Sequence, residues 1–386
     1  MSSKPATDEQ LNSDSTSPGQ TEKQERLPRL HWELGTAYDF FLSLEILHKP
    51  EEHSLRPSWA AGVRSRLTPA ERKILDLSVE MVWVPIHWLD TLPAPKDAAS
   101  VLWALRQIPA AERLPLLGAH PDKSEELCQV LNGVHAKGAW DDTDLQTFRA
   151  AIRAIKVKGL SHEIPPPDIL KGILDAWASP AQFGEAYLDA LQSYYRVFFA
   201  EEEQRILPAL QTSIQKGQEL ATHLPLLDLI EELSQGIRFQ ERIDTTELVF
   251  IPSYWITPLI TWQKSSAKRF VMIYGARPAY ASLVPGEVVP DALLRGLKAV
   301  ADPTRLKILR FLSQEPLTPA DLSRRLRLRA PTVTHHLSAL RLAGLVHLSL
   351  EAEGERHYTA RQEGIDDLCR GLHKFLVSQG EDQTPD

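Results

Sequence analysis

Three helix starts follow one another closely between residues 302 and 344, and each has a proline at or near its first helical position. Asp302 and Thr318 can each accept a hydrogen bond from the first free backbone amides of a helix. A third segment, residues 331–343, is followed by Gly344, a residue type that commonly closes helices. Short helices separated by tight turns predict a helix-turn-helix in this part of the chain.

The third segment has one apolar side and one polar side when it is drawn as a helix. Val333, Leu337 and Leu340 fall together at about 100° per residue, so we expect them to face the core. The polar side suits the major groove of DNA, because its short hydrogen-bonding groups can reach base edges. We expect Thr332, His335 and Ser338 on the outer side, Thr334 and Arg341 on its margins, and His336 packed inward.

A strand, a glycine-containing turn and a second strand are predicted next, at residues 345–350, 351–355 and 356–359. Such a hairpin would form a wing beside the helices. Arg356 lies near its tip, where a long cation can reach a phosphate or the minor groove. Glu351, Glu353 and Glu355 would repel the same backbone. A final helix is predicted at about 362–377.

Positive charge is concentrated in this region although the whole chain has a net charge of -8. Residues 291–350 contain 10 Lys and Arg against 4 Asp and Glu. The chain as a whole is therefore no polycation, but this segment has the charge expected of a surface that meets phosphates. An ordinary solvated face has the same appearance.

Residues 296–312 (GLKAVADPTRLKILRFL) and 330–346 (APTVTHHLSALRLAGLV) resemble the ArsR family of winged-helix repressors, and the resemblance covers roughly residues 291–377. It implies a homodimer that binds double-stranded DNA at an inverted-repeat operator, with residues 331–343 as the recognition helix. It also implies a dimer interface formed by the first and last helices of this region. That interface would contain Leu293, Leu294, Leu297, Leu372, Phe375 and Leu376.

The metal-sensing sites of that family are not matched by this sequence. Residues 315–321 (EPLTPAD) contain no cysteine where metalloid sensors have them. Asp366, Asp367 and His373 supply a partial set of ligands without the expected spacing. Because a metal site needs three or four convergent ligands, we expect no metal and no cofactor.

The fold class expected for the whole chain is mainly α. We predict a disordered tail (1–27), a helical N-terminal domain (28–235), a small β subregion with a linker (236–290), a winged helix-turn-helix domain (291–378) and an acidic tail (379–386). The β subregion rests on residues 246–256 and 268–274, which are rich in β-branched and aromatic side chains. One long helix is expected from about residue 180 to 219, bent or broken near Pro208.

The N-terminal extension is far larger than DNA binding requires, so we expect it to sense a small-molecule effector or a partner. Trp32, Trp83, His87, Trp88 and Trp255 are candidates for an apolar pocket with a few polar groups. The alternative is that they are core aromatics. Residues 194–205, 250–258 and 271–277 resemble an uncharacterised helical domain that precedes the winged helix in some ArsR-like regulators.

Motifs of enzymes are missing from the sequence: no G-x-G-x-x-G after a strand, no Walker phosphate loop, no H-E-x-x-H and no G-x-S-x-G. No secretion signal or long apolar run is found, and there are two cysteines, so we expect a cytoplasmic protein without membrane contact. We predict a sequence-specific DNA-binding transcriptional regulator, acting as a repressor, and no enzyme. The alternative is an interaction module whose winged helix binds a protein.

Overall fold

The computed structural model describes residues 27–50, 55–118, 124–154, 165–239, 243–285, 289–350 and 356–377. The predicted acidic tail, nearly all of the predicted disordered tail and the three glutamates of the wing lie outside the described residues. Within the described ranges, no helix combines the length and the apolar character needed to cross a membrane.

Helices form most of the N-terminal part, as the fold class predicted. They are α1 (Thr36–His48), α2 (Pro57–Arg64), α3 (Pro69–Ser78), α4 (Ile86–Leu89), α5 (Ala98–Gln107), α6 (Ala110–Gly118), α7 (Glu125–Lys137), α8 (Asp142–Ala154), α9 (Pro167–Ala178), α10 (Pro180–Tyr194), α11 (Ala200–Ala221) and α12 (Leu226–Leu233). Their apolar faces share one large core with part of a sheet. Helix α3 starts with a complete capping box between Thr68 and Glu71, so its first free amides are satisfied locally.

Helices α10 and α11 are separated by a π-helical turn, Tyr195–Phe199. The helix was expected to be bent or broken near Pro208, and a break there is wrong because this proline lies inside α11. A proline removes one backbone donor, but the flanking Ile206 and Leu210 are completely buried. Tertiary packing on both sides holds the helical path through the proline.

A four-stranded sheet crosses this domain, with strands β1 (Arg29–Trp32), β3 (Glu247–Ser253), β4 (Ile260–Ser266) and β5 (Arg269–Gly275) in the order β1-β3-β5-β4. Strands β1, β3 and β5 are parallel, and β4 is antiparallel to β5. Strand β3 is buried on both faces: Val249 and Ile251 join the main core, whereas Leu248 and Phe250 pack in a second cluster with α12. Side chains alternate between the faces of a strand, so this one strand ties both clusters together.

Strand β1 lies in the segment predicted as a helical domain, residues 28–235. It has four residues, and Leu30 pairs with Leu248 of β3 across more than two hundred residues. A strand this short has too few residues for its alternation to be recognised in the sequence. The helical and β segments share a sheet here, and the division at residue 235 stays a prediction.

The C-terminal part is a winged helix-turn-helix. It consists of α13 (Asp291–Val300), α14 (Pro303–Leu312), α15 (Pro319–Leu326), α16 (Ala330–Leu342), β6 (Val346–Leu350), β7 (Arg356–Ala360) and α17 (Gln362–Val377). Asp302 caps α14 through the amides of Thr304 and Arg305, and Thr318 forms a capping box with Asp321 at α15. A compact core of its own, which includes Ile308, connects these elements.

A strand from the N-terminal part extends the wing. Strand β2 (Ile237–Phe239) runs parallel to β6 and makes a sheet of order β2-β6-β7. The backbone amide of Leu348 also donates to the carbonyl of Gly236 at 3.0 Å. The start of the segment predicted as a β subregion and linker is thus paired with the wing.

Candidate nucleic-acid interface

Helix α16 presents a polar face to solvent, as its sequence pattern predicts. Val333 and Leu340 are completely buried and Leu337 is 1% exposed. Thr332, His335 and Ser338 are all exposed on the other side. The arrangement leaves two hydroxyls and one imidazole free to meet the edges of bases, with no bulky apolar group among them.

Two further side chains of α16 are half-buried. The hydroxyl of Thr334 donates to the carbonyl of Ala330 at 3.0 Å, so its oxygen remains able to accept a bond from outside. His336 packs inward as expected, with Nδ1 3.9 Å from Oδ1 of Asp302. Burial lowers the pKa of His336, although the Asp302 carboxylate acts in the opposite direction. His336 therefore belongs to the packing of the helix cap.

Arg341 is buried, which corrects its expected place on the outer margin. It is 7% exposed and donates through Nη2 to the carbonyl of Ser234 at 2.8 Å and through Nη1 to that of Gln235 at 3.4 Å. Burial, with repulsion from Arg361, lowers its pKa to about 10. The position follows Leu337 by one turn, so it faces inward, and the N-terminal domain covers it. Arg341 therefore connects α16 with the residues that follow α12, and its guanidinium is not exposed to contact DNA.

Four exposed arginines stand directly before α16 and were missed as individual site residues: Arg324, Arg325, Arg327 and Arg329. Arg324 pairs with Asp321, and Arg325 pairs with Glu315 at 2.8 Å. Arg327 and Arg329 have no ion pair within the described ranges. Their signal in the sequence is the run RRLRLRA, which lies directly before α16 and concentrates cations at the start of its exposed polar face.

Arg356 begins β7 and pairs across the hairpin with Leu350. It is half-buried and hydrogen-bonds the hydroxyl of Tyr358, which lowers the pKa of that tyrosine against the larger, raising effect of burial. The tip beyond it lies outside the described residues. Its contact with DNA stays a prediction.

The first and last helices of the winged domain pack together and leave an apolar margin. Leu376 is 71% exposed and Val377 is 62% exposed, while Leu294, Leu297, Leu372 and Phe375 are half-buried. Leu293 is different: it is buried within its own chain, close to Gly371 of α17. The margin is therefore centred on the end of α17.

The five candidates for a ligand pocket have separate surroundings. Trp32 stacks on Phe250 at 4.9 Å in the α12 cluster. Trp255 and Trp88 belong to the main core, and Nε1 of Trp255 donates to Glu202 at 2.9 Å. His87 donates through Nε2 to the carbonyl of Leu116 at 2.8 Å, and Trp83 is 40% exposed. Most of the set is thus engaged in packing or hydrogen bonds inside the domain.

Metal ligands do not converge in the part of the chain that the structure describes. It contains no group of three or more His, Cys, Asp and Glu side chains that could hold a metal ion. The expected absence of a metal and a cofactor stays a prediction.

The capped helices, the exposed face of α16 and the hairpin define a winged helix-turn-helix protein. The family described as "Bacterial regulatory protein, arsR family" matches residues 302–347. A protein of Streptomyces lividans named "Probable mercury resistance operon repressor" is 36% identical over 96 residues, which cover 24% of this chain and 75% of that protein. The chain belongs to the ArsR family and is a DNA-binding transcriptional regulator.

A solved structure is also similar: the crystal structure of NolR from Sinorhizobium fredii. Its sequence identity is 24%, the match covers 23% of this chain and 88% of that chain, and the TM-score is 0.19.

Proposed function

We propose that the protein is a sequence-specific repressor that binds an inverted-repeat operator as a homodimer. Helix α16 lies in the major groove, where Thr332, His335 and Ser338 contact bases and Thr334 contacts a base or the neighbouring phosphate. Arg356 contacts the backbone from the wing. The observation that carries the proposal is the division of α16 into a fully buried apolar side and an exposed hydrogen-bonding side.

The arginines before α16 supply the sequence-independent part of the binding. Arg327 and Arg329 are exposed, and their charges are available to phosphates because no carboxylate of the described residues pairs with them. Each phosphate contact releases condensed counterions, so affinity falls steeply as salt rises. Arg324 and Arg325 already pair with carboxylates. A phosphate contact would replace that ion pair, so each adds less to the binding free energy than Arg327 or Arg329.

The experiment is a selection of binding sites from a randomised duplex library with the full-length protein. We expect enrichment of two half-sites related by a two-fold axis, about 10 base pairs apart from centre to centre. Fluorescence anisotropy on the selected duplex then measures affinity as a function of salt. No enriched sequence, together with an affinity that does not depend on salt, would favour the interaction-module alternative.

Three variants separate the roles. His335→Ala costs about 1–3 kcal/mol on the selected duplex and relaxes the preference at one base pair of each half-site. Arg329→Gln weakens binding to all duplexes and reduces the salt slope by about one. Arg106→Gln is the matched control, because Arg106 is exposed on α5, in the N-terminal part. Equal effects of His335→Ala and the control would contradict the assignment of α16.

Dimer formation is proposed through the apolar margin of α13 and α17. Leu294, Leu297, Leu372, Phe375 and Leu376 would be covered by the same residues of a partner, as a two-fold interface requires. Light scattering should give twice the 43.4 kDa of one chain. Leu376→Glu should reduce the mass to one chain and weaken operator binding.

The N-terminal domain is proposed to sense a ligand or a partner and to transmit its state to α16. The support is the pair of connections between the domains: Arg341 binds carbonyls of residues that directly follow α12, and β2 extends the wing sheet. A rearrangement of the end of α12 therefore changes the surroundings of the recognition helix. An effector that binds the N-terminal domain should change operator affinity in the full chain.

A further inference from the structure

Four arginines in the described part of the chain are more than nine-tenths buried, and two of them have a buried nitrogen without an acceptor. The exposed fractions are 4% for Arg113, 6% for Arg277, 7% for Arg341 and 8% for Arg295. Arg113 and Arg341 each donate to two backbone carbonyls. Nη1 of Arg277 and Nε of Arg295 have no hydrogen-bond partner among the residues that the structure describes. Buried donors are rarely without an acceptor in folded proteins, so we expect a group that accepts from these two nitrogens.

The two arginines come from different domains. Arg277 follows β5, and its Nη2 donates to the carbonyl of Thr257 at 3.0 Å. Its guanidinium lies over the ring of Tyr254, 5.6 Å from the centroid. Arg295 lies on α13, the first helix of the winged domain. The hydroxyl of Tyr254 donates to the carbonyl of Ser282 at 3.0 Å, and the amide of the next residue, Leu283, donates to Asp291 of α13, so Arg277 and the start of α13 lie at the same junction. Burial, followed by the positive charge of Arg295, lowers the pKa of Arg277 to about 10.

The surrounding charges leave an excess of one positive charge. Arg205 also lies over Tyr254, at 4.8 Å, but its charge is cancelled by Glu202 at 2.6 Å. Asp291 is the carboxylate that stabilises the charged forms of both Arg277 and Arg295. Its Oδ2 already accepts from the amide of Leu283 at 2.7 Å. Among the described residues, two cations and one anion remain, so a single negative charge would complete the balance.

We propose that Arg277 and Arg295 bind the carboxylate of a small organic acid at the junction between the two domains. A carboxylate has two oxygens, one for each of the free N–H groups, and carries one negative charge. A phosphate carries between one and two charges near neutral pH and would exceed the local excess. Arginine suits this task because its donors stay charged and have a fixed geometry.

The site deepens the proposed function, on which its regulatory consequence rests: an acid held by both arginines connects the sensing half of the chain with the first helix of the DNA-binding half. Occupancy would then bias the position of α13 and, through it, the dimer. Binding of the acid itself does not depend on DNA.

The experiment measures thermal unfolding of the full-length protein in sodium acetate, sodium benzoate, sodium phosphate and sodium chloride at equal ionic strength. We expect at least one of the two carboxylates to raise Tm saturably, by roughly 3 °C near saturation, relative to chloride. Arg277→Met and Arg295→Met should each lower the affinity for that carboxylate by about tenfold or more, because a charge-assisted hydrogen bond is lost. Arg106→Met, at an exposed position, should leave the response unchanged.

A second readout separates a binding site from a structural role. Without any added carboxylate, Arg295→Met should keep or raise the Tm, because it replaces a buried cation with an unsatisfied Nε by an apolar chain of similar length. A lower Tm of this variant would contradict the proposal, and so would equal Tm values in all four salts or a response to phosphate alone. Loss of operator binding with carboxylate binding intact would contradict the proposed function and leave the site standing.

Discussion

The carboxyl group of Asp39 makes the stability of the N-terminal domain depend on pH. Asp39 lies on α1 and is completely buried. Its Oδ1 accepts from Ser253 Oγ and from the amide of Trp255 at 2.9 Å, and its Oδ2 accepts from the amide of Tyr254 at 3.1 Å. Burial outweighs these bonds and raises the pKa of Asp39 from 3.8 to about 7.

The magnitude follows from the linkage between protonation and folding. Between pH 3.8 and pH 7 the folded chain holds a proton that the unfolded chain has released, so stability falls as pH rises through this window. One pKa unit corresponds to 1.36 kcal/mol, so the full loss is roughly 4 kcal/mol. Between pH 5 and pH 8 the expected loss is about 2.5 kcal/mol.

Urea unfolding followed by circular dichroism at pH 5, 6, 7 and 8 measures this loss. Asp39→Asn is the comparison, since its amide is neutral at every pH and retains one acceptor oxygen. All other titrating groups are shared, so the difference in unfolding free energy between the two proteins isolates Asp39. We expect wild type to lose about 2.5 kcal/mol relative to the variant over this range. Parallel curves would mean an ordinary pKa and would refute the reasoning.

Gly236→Ala should destabilise the chain by about 1–3 kcal/mol, because Gly236 has φ of +105° and a Cβ there would lie 2.8 Å from Nδ1 of His347. Hydrogen exchange at the amide of Leu348 should rise in this variant, whereas Gly62→Ala, in a helix with open space, should leave exchange unchanged. Thr318→Ala should lower the unfolding free energy by about 1 kcal/mol in urea titrations, since it removes a capping box. Burial lowers the pKa of His336, so its contribution to stability should be lost as pH falls from 6.5 towards the lower pKa of the folded protein, and His336→Leu should flatten that part of the profile.

Features that depend on neighbouring residues in the sequence were predictable. Asp302 and Thr318 cap helices because each needs only a short side chain and free amides two or three positions later. The polar face of α16 follows from helical geometry and the order of its residues. In each of these features the two partners of the interaction lie within a few positions of each other in the sequence.

Features whose partners are far apart in the sequence were not predictable. In the sequence, Arg341 is an arginine on the recognition-helix segment and so resembles a DNA contact. Its acceptors are the carbonyls of Ser234 and Gln235, which lie more than a hundred positions earlier. Strand β1 is likewise defined by its pairing with β3. The pocket formed by the aromatic candidates stays a prediction, because composition cannot distinguish a packed tryptophan such as Trp255 from one that lines a cavity.

The two connections between the domains differ in what they tolerate. Strand pairing of β2 with β6 uses backbone groups and can shift along the strand, whereas Arg341 requires two carbonyls at fixed positions. If Arg341 lost these acceptors, a cation that is 7% exposed would remain unpaired, which is strongly unfavourable. The end of α12 and helix α16 must therefore move together or separate far enough to hydrate Arg341. Through this requirement the proposed sensing by the N-terminal domain would reach α16. A variant that removes the bond, such as Arg341→Met, should therefore raise hydrogen exchange at residues 234–236 and at residue 341 together.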